Sequence, residues 1–137
     1  MSPGHAPLDP ALLGLVGLAL LVLLHVGVQG LALKTAAGTA WSVGPRDTPA
    51  TLAPLHGRLR RALDNLLESA PVFVALAVVA HLADRVGPPV AAGIALFLAG
   101  RLAFLPAYAS GVPWLRTVFW YVAGIGLLLM FIGVLWP

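Results

Sequence analysis

The chain has 137 residues, of which 60% are hydrophobic and only 9% charged, where soluble domains average about 45–50% apolar and about 25% charged. With a mean hydropathy of +0.96, that balance excludes a disordered chain and argues against a soluble globule, so the net charge of +3 reads as a topology signal and not as a nucleic-acid footprint. Cysteine is absent, which excludes thiol–disulfide chemistry by the protein itself, Cys-ligated zinc and iron–sulfur clusters.

A spanning helix takes roughly 20 apolar residues, and the apolar stock supplies four. Residues 1–137 therefore read as one all-α domain, an integral membrane four-helix bundle of left-handed up-down form. The first span is expected over residues 10–33, interrupted by His25 and Gln29. No Lys or Arg precedes it and Asp9 stands just before it, which fits a retained span better than a cleaved signal peptide. From Lys34 to Gly57 the chain carries Gly38, Gly44, Pro45, Pro49, Pro54 and Gly57. Such turn chemistry predicts a loop, with Thr51–Pro54 marking the approach to the next helix.

The second span, over residues 58–83, opens with Arg58, Arg60, Arg61, Asp64 and Glu68 and turns apolar from Ala70. Asp84–Pro89 forms a tight turn. The third span, over residues 90–108, holds Arg101 and Pro106, and Ser110–Pro113 makes the next turn. The fourth, over residues 114–135, has Arg116 in its first turn and ends at Trp136, an interfacial anchor. Pro71 and Pro106 are expected to kink their helices. Ala95, Ala99, Ala103 and Ala107 form a stripe that suits close helix packing or simply reflects an alanine-rich composition. Lys34, Arg46, the Arg58/Arg60/Arg61 cluster and Arg116 fall on one side, against Arg85 alone on the other. The first loop is therefore expected in the cytoplasm and both termini opposite it.

His5, His25, His56 and His81 make no pair at one depth, so neither bis-His haem nor a metal site is expected. His25, mid-span, is expected to be a buried polar residue bonded to another helix. No phosphate loop or nucleophile motif occurs. The chemistry lies in charges that an apolar helix tolerates poorly: about 2.5–3.5 kcal/mol each at the bilayer centre. At 100° per residue, Arg58, Arg61, Asn65 and Glu68 share an arc of roughly 80°, whereas Arg60 and Asp64 point elsewhere. Arg101 and Tyr108 share a face of the third span with Phe104 between them. Arg58, Arg61, Arg101 and Arg116 can thus converge on one pocket. Several arginines with one amide and one carboxylate suit a peptide-like polyanion, because guanidinium presents paired donors to carboxylates. The same residues also fit interfacial arginines on lipid phosphates with Glu68 as an internal partner.

At these positions the chain resembles the MAPEG family, membrane-associated proteins in eicosanoid and glutathione metabolism, in a bacterial-type form. The sharpest match is Arg58-Leu-Arg-Arg61-Ala-Leu-Asp-Asn65-Leu-Leu-Glu68-Ser-Ala-Pro71-Val-Phe73, similar to the family's second-helix pattern. Arg101-Leu-Ala-Phe104-Leu-Pro-Ala-Tyr108 resembles the third-helix motif, with Phe104 where many members carry Tyr or His. Arg116 stands where members place an arginine at the start of the fourth helix. The resemblance implies a four-helix protomer, a homotrimer, and glutathione as co-substrate between neighbouring protomers near the cytoplasmic face. It implies glutathione contacts from Arg58, Arg61, Asn65, Glu68, Arg101 and Tyr108, and a catalytic role for Arg116 in stabilising the thiolate.

The expected function is a membrane-bound glutathione-dependent transferase or peroxidase acting on lipophilic electrophiles, in the inner or plasma membrane, with no metal and no nucleic acid. The alternative is a non-catalytic protein of the same fold that binds lipid or another anionic ligand. A small transporter fits less well, because the first span offers only His25 near the midplane.

Overall fold

The computed structural model describes residues 7–47, 49 and 53–136; His5 and the Thr51–Leu52 approach to the second span lie outside the described residues. The chain is all-α: α1 Pro10–Ala37, a short α2 Thr39–Val43, α3 Pro54–Leu82, α4 Pro88–Ser110 and α5 Pro113–Leu135. The four long helices are each long and apolar enough to cross a bilayer, and the protein is a multi-pass integral membrane protein.

Proline sets the starts. Pro10, Pro54, Pro88 and Pro113 each occupy the first turn of their helix, where the missing N–H costs nothing and the fixed φ favours entry. Two helices consequently begin earlier than expected, at Pro54 instead of Arg58 and at Pro88 instead of Val90. The loop expected from Lys34 to Gly57 is also shorter. α1 continues to Ala37 because nothing stops it before Gly38, whose φ of 83° ends the helix, and α2 follows at once. Pro71 and Pro106 lie inside helices that continue past them.

Consecutive long helices run antiparallel. His56 Nε2 lies 2.8 Å from the Ala32 carbonyl at one end of the α1–α3 pair, and His81 Nδ1 lies 2.6 Å from Asp9 Oδ2 at the other. The α4–α5 seam is the closest contact. A Cβ on Gly93 would stand 2.5 Å from the Gly126 carbonyl oxygen, and one on Gly126 would stand 2.6 Å from the Phe97 backbone nitrogen. Gly100 against Ala123 and Gly133 against Val90 extend the seam in both directions. Glycine, and not the alanine stripe, therefore brings these backbones together; Ala95 and Ala99 are exposed.

A core of Leu18, Leu21, Phe73, Ala77, Ile94, Phe97 and Met130 joins the four long helices, with the Phe73 and Phe97 rings stacked at 4.6 Å. Leu20 and Leu23 on α1 and Leu128 and Phe131 on α5 point outward, as side chains that meet lipid do. His25 departs from expectation. It is buried, but its Nδ1 lies 2.9 Å from the Leu21 carbonyl of its own helix, and Nε2 has no partner among the described residues. A residue four positions back on the same helix competes successfully with a second helix for that bond. At one end of the bundle Arg85 donates to the Val134 carbonyl at 2.5 Å, tying the α3–α4 turn to the end of α5. The other end gathers the last turns of α1 and α4 and the first turns of α3 and α5, and there the polar residues lie.

Candidate functional site

α3 enters this end with its charged turns, and its polar face meets α4. Arg101 of α4 is only 4% exposed. Its Nη1 donates to Asn65 Oδ1 at 2.5 Å, and its guanidinium lies over the rings of Phe97 and Phe104, at 5.5 and 5.6 Å from their centroids. The Nε of Arg101 has no partner among the described residues. The direct contacts of this buried cation are thus a neutral amide and two rings. Asn65 turns its other side toward α3's carboxylate: Nδ2 donates to Glu68 Oε2 at 3.5 Å. The amide is thereby oriented, oxygen to the cation and nitrogen to the anion, in a chain Arg101–Asn65–Glu68.

Tyr108, two turns further along α4, sits between two more guanidinium groups. Arg61 Nε donates to its hydroxyl at 3.3 Å, and Arg116 lies 5.2 Å from its ring centroid. The Phe104 ring meets Tyr108 edge-on at 5.2 Å. Arg61 and Glu68 are exposed on the single chain. Arg60 and Asp64 point away and pair with each other at 2.9 Å on the surface.

Two clefts open between α3 and α5. One, of about 260 Å³, is lined by Asn65, Phe104, Tyr108, Arg116, Thr117 and Trp120. The other, of about 330 Å³, shares Asn65 and Trp120 with it and is otherwise lined by Glu68, Ser69, Val72, Arg101, Gly124 and Leu127. Among the described residues no cluster of His, Asp or Glu could hold a metal ion.

The MAPEG family model matches residues 11–136, nearly the whole described chain. The chain belongs to the MAPEG family. No curated protein and no solved structure matches it. In this MAPEG chain the two clefts bring together Asn65, Glu68, Arg101, Tyr108 and Arg116. Arg61 reaches the site through the Tyr108 hydroxyl and does not line either cleft. Arg58 does not reach it: its guanidinium packs on Gly111 of the α4–α5 turn, and its Nε has no partner among the described residues. The expected convergence of four arginines is therefore a convergence of three, because Arg58 lies a turn too near the helix start.

Ser69, Val72, Thr117, Trp120, Gly124 and Leu127 were not singled out from sequence. Helical register finds Trp120 and Leu127, four and eleven positions from Arg116, and Val72, seven from Asn65. Thr117 and Gly124 lie further round the α5 face and carry no such signal.

Proposed function

We propose that this protein, a member of the MAPEG family, is a membrane-bound glutathione-dependent transferase or peroxidase acting on lipophilic electrophiles, and that it works as a homotrimer with glutathione between neighbouring protomers at the cytoplasmic face. The observation that carries this reading is the charge pattern at one end of the bundle. Arg101 donates to Asn65 of the single Asn65–Glu68 pair, and two more guanidinium groups, of Arg61 and Arg116, flank Tyr108 beside it. Such a site calls for a ligand with more than one carboxylate and an ammonium group. Arg61 and Arg101 suit the carboxylates, Glu68 the ammonium, and Asn65 and Tyr108 the remaining polar atoms. The exposure of Arg61 and Glu68 supports the trimer, because a second protomer would cover charges that lipid cannot solvate.

Glutathione, when bound, supplies the reacting thiol, and the chain needs no cysteine of its own. Arg116 would favour the thiolate, the reactive form, by placing a cation beside the sulfur. The proton leaves to solvent. The sulfur–carbon bond then forms as the leaving group departs with its bonding pair, or as the π pair of an activated alkene shifts onto its electron-withdrawing group, which solvent protonates.

Phe104 favours a second reading, a non-catalytic member that binds lipid or another anion. It stands where a Tyr or His would reach the ligand, and its ring packs on Arg101 instead. Calorimetry of the detergent-purified protein with reduced glutathione separates the two. Saturable binding, weakened about tenfold or more in Glu68→Ala by loss of a charge-assisted bond, is the expected outcome. Absence of glutathione binding, with binding of anionic lipid retained, would leave the second reading as the account of these arginines.

A further inference from the structure

Three buried side-chain nitrogens have no hydrogen-bond partner among the described residues: Nε2 of His25, Nε of Arg58 and Nε of Arg101. They are one acceptor and two donors. His25 Nδ1 lies 2.9 Å from the Leu21 carbonyl, which can only accept, so Nδ1 carries the ring proton and Nε2 holds a lone pair. A guanidinium Nε only donates. Solvent barely reaches any of these atoms, and an unmade bond in the interior costs the full desolvation of the group.

The fold decides which donor belongs to His25. Arg58 lies two turns nearer the start of α3 than Asn65, and its guanidinium packs on Gly111 of the α4–α5 turn. α1 packs on α3 and α4, so the His25 ring, 1% exposed, is enclosed by those two helices. Asp9 faces His81 and Ala32 faces His56 across α1 and α3, which puts His25 level with Leu63–Asn65. Gly14 stands against Ile94 and Gly17 against Leu98, which puts the His25 backbone one turn beyond Arg101. The ring leans back by that turn onto the Leu21 carbonyl, and so comes to the level of Arg101. The Arg101 charge is near enough to act on it. Asn65, polar and at the same level, already has its oxygen on Arg101 and its nitrogen on Glu68.

We infer that His25 is a positioning residue for Arg101, its Nε2 accepting from the Arg101 Nε–H across the α1–α4 contact. The guanidinium is then held by two fixed acceptors, His25 at Nε and Asn65 at Nη1, and Nη2 is the nitrogen left for the cleft that Arg101 helps to line. A planar group gripped at two of its three nitrogens is fixed in its plane, so the third keeps its direction. The pair stands on the packing alone; its consequence for ligand binding rests on the glutathione reading.

The experiment uses the full chain in detergent, isotope-labelled at histidine and arginine nitrogens for magnetic resonance. The wild type should show the Nδ1–H tautomer at His25 and a through-hydrogen-bond coupling between Arg101 Nε and His25 Nε2, with His25→Gln identifying the His25 signals. An Nε2–H tautomer, or no coupling, overturns the pair. Calorimetry with reduced glutathione reads the consequence. His25→Leu should weaken binding about tenfold, whereas His25→Gln, whose side-chain oxygen reaches where Nε2 does, should stay within about threefold of the wild type. Unchanged affinity in His25→Leu, or equal loss in both variants, overturns the positioning role. Where His25→Leu fails to fold, the wild-type coupling and the affinity of His25→Gln still decide. If the wild type binds no glutathione, the transferase reading fails and the positioning role with it, while the coupling still decides whether His25 and Arg101 are partners.

Discussion

Arg116 and Glu68 differ in what they can do for a bound peptide thiol. Arg116 lies against the Tyr108 ring and lines the upper cleft without a carboxylate in it. Glu68 belongs to the hydrogen-bonded chain through Asn65 to Arg101. If Arg116 holds the sulfur as thiolate, Arg116→Ala should abolish turnover and leave glutathione affinity within a few-fold, because the stabilised charge develops on sulfur. Arg61→Ala should weaken binding about tenfold or more, the worth of one charge-assisted bond. The thiolate ultraviolet band of bound glutathione reads the difference. It should be present in the wild type and in Phe104→Tyr and absent in Arg116→Ala. A band that persists in Arg116→Ala would remove this residue from the chemistry. These polar residues were legible in sequence because a charge within an apolar run has few innocent explanations. Arg58 shares the arc of Arg61, Asn65 and Glu68, but angular position does not reveal that its guanidinium packs on the neighbouring turn at Gly111.

At the scale of helices, sequence revealed the existence of the four spans and concealed how they meet. Hydropathy marks a span wherever it occurs, whereas the α4–α5 seam depends on which of fifteen glycines face one another across two helices. Gly93 and Gly126 do so, and the more visible alanine stripe does not. Gly126→Val should therefore part α4 from α5. Its Cβ would meet the Phe97 nitrogen at 2.6 Å and the Gly93 carbonyl oxygen at 2.7 Å, backbone atoms that cannot step aside as a side chain can. Overpacking of this kind costs about 1–3 kcal/mol or more, and thermal unfolding in detergent should show a clear fall in midpoint. Gly124→Ala, on the same helix with open space around it, should be neutral or slightly stabilising, since helical glycine costs about 0.5–1 kcal/mol relative to alanine. Equal destabilisation by both would mean that the close backbone approach at Gly126 does not set the response.

The end of the bundle opposite the site has its own closure, and its pH dependence has a definite sign. Asp9 caps α1 by accepting from the Leu12 N–H at 2.9 Å and pairs with His81 at the end of α3 at 2.6 Å. The Leu12 N–H, and after it His81, hold the Asp9 carboxyl below its ordinary value. A carboxyl depressed in the folded state contributes stability that is present above its unfolded value and lost as pH falls through the folded one. Acidification below the ordinary carboxylate range should lower the unfolding midpoint of the wild type more than that of Asp9→Asn, which keeps a capping side chain but cannot titrate. Parallel curves for the two proteins would show that the clasp between α1 and α3 is not felt at this scale.

For the whole molecule, antiparallel helices put the last turns of α1 and α4 and the first turns of α3 and α5 at one surface, and with them Lys34, Arg58, Arg60, Arg61 and Arg116. Arg85 stands almost alone among basic residues at the other. Short connections with such an excess of Lys and Arg stay in the cytoplasm, which would place the site at the cytoplasmic face, where reduced glutathione is available. A reporter fused after Pro137 should accordingly behave as extracytoplasmic, and one inserted in the α2–α3 connection as cytoplasmic. The same surface bears on assembly. Glu68 lies fourteen residues into α3, about 20 Å along the helix from Pro54, and is exposed on the single chain. A carboxylate at that depth needs a neighbour that lipid does not supply, and a closed ring of identical chains supplies the same neighbour three times over. Native mass spectrometry from mild detergent should show trimers, with Glu68→Gln less costly to assembly than Glu68→Leu, because the amide can still bond across the interface. Monomers alone, with Glu68→Leu fully stable, would mean that this carboxylate faces water or a ligand within one protomer, and that the site is complete without a second chain.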